Sequence, residues 1–243
     1  MDRPRDSTSP GEHRGKNVAF NLEVLYPGNI RGSIILKKQP SDPGFDSFAT
    51  RVCKGLDLQS YNVNPVHDDW IAIEKLDAGL LSFSSTLGTI QTADLVRFQD
   101  LSEDQKYDFL NDLGTIFAIE HALAVRDCKA KHVLLDRATD RPFRIDWEYM
   151  FAFEPEPISS GIPAFPGECE QDLVKRLTAG PNKAELRASL EAGFQDGLRR
   201  IADAVGEDHS PLALLLSEYY PEQSGFYREQ ILLRCAPPQV LPV

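Results

Sequence analysis

Apolar and polar residues alternate at the start of the readable chain. Val18 to Leu25 (VAFNLEVL) reads as a strand, and Pro27-Gly28-Asn29 supplies turn chemistry. Ile30 to Lys38 (IRGSIILKK) reads as the strand that returns, so the pair forms a hairpin. Ser41-Asp42-Pro43-Gly44 breaks the chain. Phe45, Phe48, Val52 and Leu56 then recur at helical spacing over residues 45–56. After a second break at Asn62-Val63-Asn64-Pro65, Trp70 to Leu76 reads as a compact strand ending at Asp77-Ala78-Gly79. Residues 1–16 are polar, contain prolines and glycines, and show no period, which is the pattern of a mobile arm.

Beyond Gly79 the character of the chain changes. Ser102 with Gln105 three residues later is a capping box. It opens a long helix through Tyr107, Leu110, Leu113, Ile116, Phe117, Ile119 and Glu120. Val133-Leu134-Leu135 and Phe143-Arg144-Ile145 flank a polar turn from Asp136 to Pro142 and predict a second small hairpin. The remainder reads as helices over 169–178, 181–205, 211–220 and 222–234. Strands with one helix, followed by helices around a hairpin, predict an α+β protein in two lobes. The expected divisions are 1–16, a reduced N-terminal lobe over 17–78, and a mostly helical C-terminal lobe over 79–243.

Composition narrows this picture without naming a function. The 243 residues carry 26 basic and 37 acidic side chains, a formal net charge of −11, with 42 % hydrophobic residues. Such a chain is apolar enough to fold. Its acidic balance argues against a nucleic-acid backbone, which demands a concentrated basic face, so no nucleic-acid partner is expected, although a local basic patch is still allowed. No apolar run approaches the roughly 20 residues that span a bilayer. The first 16 residues have no apolar core of a secretory signal. Cys53, Cys128, Cys169 and Cys235 lie far apart, as expected of reduced thiols in a cytoplasmic protein.

The chemistry concentrates between Ala124 and Phe151, AVRDCKAKHVLLDRATDRPFRIDWEYMF. Asp127 follows the long apolar helix, and Asp146 ends the second arm of the hairpin, so two carboxylates come to one end of it. Six basic residues (Arg126, Lys129, Lys131, Arg137, Arg141, Arg144) stand among three acids between 126 and 144. Carboxylate oxygen is the ligand magnesium prefers, and cations neutralise phosphoryl oxygens, so the segment suits metal-bound phosphate.

The same stretch resembles the catalytic and metal-binding loops of the protein-kinase-like phosphotransferases. Arg126, Asp127 and Lys129 fall on the family's R-D-x-K positions, and Ile145 to Glu148 (I-D-W-E) is similar to the metal loop of aminoglycoside and choline phosphotransferases. Lipid-kinase-like enzymes use a similar pair of loops. The motif covers residues 124–151, and the order of elements extends the likeness over 18–151. The resemblance implies ATP and Mg²⁺ or Mn²⁺ as cofactors, and transfer of the γ-phosphate to a hydroxyl of a protein or small molecule. It makes Asp127 the catalytic base, sets Lys129 beside the transferring phosphate, and gives Asp146 the metal. Lys37 or Lys38 resembles the strand lysine that pairs the α- and β-phosphates, and the backbone of Glu74 and Leu76 would meet the adenine.

Three positions depart from the family pattern. His132 stands where the family has a metal-binding asparagine, and imidazole favours Mn²⁺ over Mg²⁺. It is a metal ligand, a strut for Asp127, or a structural histidine. Helix 45–56 has no glutamate to pair with the strand lysine, Asp46 being its only acid, and no G-x-G-x-x-G occurs. These departures favour a further reading, a pseudokinase that acts as a nucleotide-binding or regulatory module; another alternative is a kinase-fold enzyme that transfers AMP.

Overall fold

The computed structural model describes residues 19–26, 30–38, 44–67, 69–80, 93–125, 132–147, 150–153 and 168–236. Strands β1 (Ala19–Tyr26) and β2 (Ile30–Lys38) pair in antiparallel register, Ala19 opposite Lys37 and Tyr26 opposite Ile30. Helix α1 (Gly44–Gly55) follows, then β3 (Val63–His67) and β4 (Trp70–Glu74). These strands form one four-stranded sheet in the order β1-β2-β4-β3. β5 (Ala78–Leu80), β6 (Val133–Asp136) and β7 (Pro142–Arg144) form a second, three-stranded antiparallel sheet. The chain therefore leaves the first sheet at Glu74 and enters the second at Ala78. The protein is a mixed α+β chain with two small antiparallel sheets.

Strand β3 lies where the sequence signals a break. Pro65 cannot donate to a ladder, and a proline in a strand is confined to an edge or a bulge. Both conditions hold: β3 is an edge of its sheet, and its register with β4 shifts between Pro65 and His67. The turn reading came from local residue type alone, and the available edge of β4 overrides it.

Helices carry the rest: α2 (Ala93–Asp100), α3 (Glu103–Ala122), α4 (Glu168–Leu177), α5 (Lys183–Gly206), α6 (Pro211–Tyr219) and α7 (Ser224–Cys235). The expected capping box is formed. Ser102 Oγ accepts from the Gln105 amide at 3.3 Å, and Gln105 Oε1 accepts from the Ser102 amide at 3.0 Å. At the other end of α3, Val125 donates to Glu120 O at 2.9 Å and Ala124 to His121 O at 3.1 Å, with Ala124 at φ 49°. This is a Schellman stop, and it ends α3 immediately before the segment that carries Asp127.

α3 and α5 cross with almost nothing between their backbones. A Cβ on Gly193 would overlap the Asn111 carbonyl, and one on Gly114 would lie 2.7 Å from the Phe194 nitrogen. Thr115 Oγ1 donates to Gly193 O across the gap at 3.2 Å. Neither neighbour is the tip of a flexible side chain, so the helices themselves must separate to admit a methyl group. Gly193→Ala should therefore cost about 3 kcal/mol, read as a fall in the urea midpoint. Gly206→Ala, where a Cβ meets nothing within 4 Å, should leave stability unchanged or raise it by up to about 1 kcal/mol and serves as the control.

The described apolar residues pack into two clusters. The larger joins α1 to α3, α5, α6 and α7 through Phe48, Leu110, Phe117, Phe194, Leu216 and Ile231, and includes Trp147. The smaller, Tyr61, Val63, Ile71 and Phe143, lies between the first sheet and the β6–β7 hairpin, with Leu76 and Ile145 at its margin.

Candidate functional site

Period-two alternation decides between the neighbouring lysines at the end of β2. Lys37 lies opposite Ile71 of β4, which is fully buried in the smaller cluster, so its side chain enters the interior and is 6 % exposed. Lys38 lies opposite Trp70 on the other face, and its ammonium pairs with Asp69 at 2.9 Å where both side chains are nearly half exposed. Lys37 instead reaches Asp146, 109 residues away, donating to Oδ1 in a close ion pair. That contact ties the first sheet to the loop after β7.

His132 reaches the same carboxylate from the hairpin. The Ile145 amide donates to His132 O at 2.9 Å, which extends the β6–β7 ladder by one step and sets His132 beside Asp146. His132 Nε2 lies 3.6 Å from Asp146 Oδ2, and the ring is buried while a third of the Asp146 side chain is exposed. Asp146 has φ 59°, the left-handed region that aspartate tolerates better than most residues.

Asp46 is the participant that the sequence signals least. It sits in the first turn of α1, 1 % exposed, and Oδ1 accepts from the Trp147 amide at 3.0 Å and from the Tyr61 hydroxyl at 3.2 Å. Its other oxygen, Oδ2, is buried without a hydrogen bond among the described residues. Burial pushes the Asp46 carboxyl above the ordinary range, while the Lys37 ammonium and the Trp147 amide pull it back. Burial, and then the charges of Asp46 and Asp146, push the Tyr61 phenol well above its usual value. Seven residues separate Asp46 from the buried Cys53, so both lie on one stripe of α1. A lone acid on an apolar stripe is the signal that could have marked it.

Other expected residues fall apart from this cluster or outside the described chain. Asp127 and Lys129 lie outside the described residues. Glu74 is exposed; its carboxylate accepts from Asn62 N at 3.0 Å and Asn62 Nδ2 at 2.7 Å, and its amide donates to Asn62 O at 2.8 Å. Leu76 is half-buried against the smaller cluster, between the two sheets. The described basic residues of 126–144, Arg137, Arg141 and Arg144, do not act as one group. Arg137 pairs with Asp77 at 2.9 Å, Arg141 pairs with Asp112 at 2.7 Å, and Arg144 is buried against Glu120. These three arginines fasten the hairpin to its neighbours. Linear proximity overstated the cationic character of the site, because successive residues of a hairpin point to opposite faces. Cys53 is likewise inert, its thiol pushed up to about 12 by burial.

A half-buried carboxylate and a buried imidazole can ligate a metal ion, and the buried ammonium beside them can hold the phosphates it carries. Magnesium and manganese in such sites take one or two protein ligands and complete their shell from phosphates and water. Asp146 and His132 supply that number. No group of three or more His, Cys, Asp or Glu side chains that could hold a metal ion occurs among the described residues. No helix among the described residues is long and apolar enough to cross a membrane. No protein-family model matches the chain, and no curated protein matches its sequence.

Proposed function

We propose that this chain is an ATP- and divalent-metal-dependent phosphotransferase of the protein-kinase-like type, moving the γ-phosphate to a hydroxyl of a protein or small molecule. In this reading the two sheets belong to a reduced N-terminal lobe and a mostly helical C-terminal lobe, joined through residues 75–77. The observation that carries it is the Lys37–Asp146 pair, which brings a strand lysine from the first sheet onto the hairpin aspartate, with His132 on the aspartate's other oxygen. Two elements 109 residues apart thus converge on the sequence segment that resembles a metal loop. A surface ion pair would need neither a buried lysine nor a left-handed aspartate.

Each residue has a definite task in this reading. Asp146 and His132 hold Mg²⁺ or Mn²⁺, which supplies charge neutralisation at the phosphates when bound. Lys37 binds the α- and β-phosphates. The segment from Glu74 to Leu76 receives the adenine. Asp127 orients the acceptor hydroxyl, and Lys129 neutralises the transferring group.

Thermal melting of the full chain with ATP, with and without Mg²⁺ or Mn²⁺, tests the reading. At a ligand concentration 100 times Kd, binding to the folded state adds about 2.7 kcal/mol, a rise of roughly 5–10 °C for a chain of this size. The rise is expected only with metal, and larger with Mn²⁺. No rise with either metal at millimolar ATP overturns the proposal. Intact-mass measurement of the protein after incubation with ATP and of added hydroxyl acceptors separates phosphoryl from adenylyl transfer. Binding with neither product identifies a pseudokinase. Asp127→Asn should abolish transfer and leave the thermal shift within about 2 °C of wild type.

A further inference from the structure

The geometry points to Asp46 as a positioning residue for Asp146: its carboxylate clamps the backbone amide of Trp147 and so fixes the turn from which Asp146 faces Lys37 and His132. This rests on the phosphotransferase reading of the site. The clamp joins three separate parts of the chain. Asp46 comes from the first turn of α1, Tyr61 from the approach to β3, and Trp147 from the segment after β7. Asp46 Oδ1 is the common acceptor, at 3.0 Å from the Trp147 nitrogen and 3.2 Å from the Tyr61 hydroxyl.

The clamp acts at a strained point. Asp146 has φ 59°, and a non-glycine residue stays in that region only where its surroundings over-determine it. The preceding residue is held by the Ile145 amide on His132 O. The following residue is held by Asp46. With both flanking amides fixed, the Asp146 side chain cannot relax to an extended backbone without breaking one of the two bonds. The Trp147 indole is fully buried, and its ring lies 5.2 Å from the Arg144 guanidinium, so the clamped residue is also gripped from β7. A displacement of α1 would therefore reach Asp146 directly through one hydrogen bond.

Burial argues that the carboxylate is kept for this purpose. A buried carboxyl with one oxygen unbonded costs stability, and an apolar residue at this point of α1 would avoid that cost. The acceptor is what the site needs, rather than the negative charge. Asparagine, which keeps an acceptor oxygen in the same place, should therefore substitute for it, whereas alanine should not.

The experiment compares Asp46→Asn, Asp46→Ala and the space-filling Asp46→Leu in the full chain. Two readings are taken: Mn²⁺·ATP affinity, by electron paramagnetic resonance of free Mn²⁺, and hydrogen exchange at the Trp147 amide. Wild type and Asp46→Asn should agree within about 3-fold in affinity and retain a protected amide. Asp46→Ala and Asp46→Leu should lose at least 10-fold in affinity and at least 10-fold in protection at Trp147, with protection in α3 unchanged. Unchanged affinity in a folded Ala or Leu variant overturns the proposal, as does an Asn variant as weak as Ala. If Ala fails to fold, the Leu variant decides. Failure of wild type to bind Mn²⁺·ATP is a separate result, which removes the phosphotransferase reading and the positioning role with it.

Discussion

Asp146→Asn should abolish metal-dependent nucleotide binding while the chain still folds. Asparagine matches aspartate in volume and tolerates the left-handed backbone that φ 59° requires, so the turn itself is preserved. What disappears is the charge that Lys37 and a metal ion would share. Lys37, 6 % exposed, retains Asp46 nearby as a counter-charge, so the loss of stability should be about 2 kcal/mol rather than a collapse. Loss of a ligating carboxylate should weaken Mn²⁺·ATP binding by at least about 100-fold, since even outer-shell partners of a metal cost 10- to 100-fold. Lys37→Met separates the two contributions, weakening ATP in the presence of Mn²⁺ more than it weakens Mn²⁺ alone. Titration of each variant by electron paramagnetic resonance, beside its urea midpoint, reads both effects. An Asp146→Asn protein with wild-type Mn²⁺·ATP affinity would exclude Asp146 as the metal ligand.

The second large effect concerns the pair that supports this loop from beneath. Arg144, in β7, is buried against Glu120 of α3, with relative side-chain exposures of 0 % and 5 %. Arg144→Met should cost about 3–5 kcal/mol, because it strands a buried carboxylate whose desolvation nothing then offsets. The double variant Glu120→Leu/Arg144→Met should recover most of that loss, because two apolar side chains of similar volume carry no such penalty. Urea unfolding of the two variants decides the matter: a single variant no less stable than the double one would show that the pair is not coupled in this way. The single change should also loosen Trp147, whose ring faces the Arg144 guanidinium at 5.2 Å, and with it the loop that carries Asp146.

Local pattern made most elements legible. The capping box at Ser102 and Gln105, the helical spacing of α5 and the hairpin around Asp136 to Pro142 each depend on residues close in sequence, and those residues set backbone geometry directly. Strand β3 was hidden by Pro65, because whether a proline can sit in a strand depends on which edge of the sheet remains open. Arg137, Arg141 and Arg144 misled for a related reason. Sequence counts charges, while pairing depends on which distant acid faces each one, as Asp77, Asp112 and Glu120 do.

By itself the sequence determined an α+β chain and most of its helices and hairpins, α2 excepted, since short-range period and residue type suffice for these; the candidates Lys37, Lys38, Glu74, Leu76, Asp127, Lys129, His132 and Asp146 rest on the family resemblance. Only the tertiary structure chose Lys37 over Lys38, drew Asp46 and Tyr61 into the cluster, and assigned Arg144 to the core. Those outcomes depend on the face of a strand turned inward and on contacts across about 100 residues of chain. No local propensity encodes them, because they arise only when sheet and helices close around one interior.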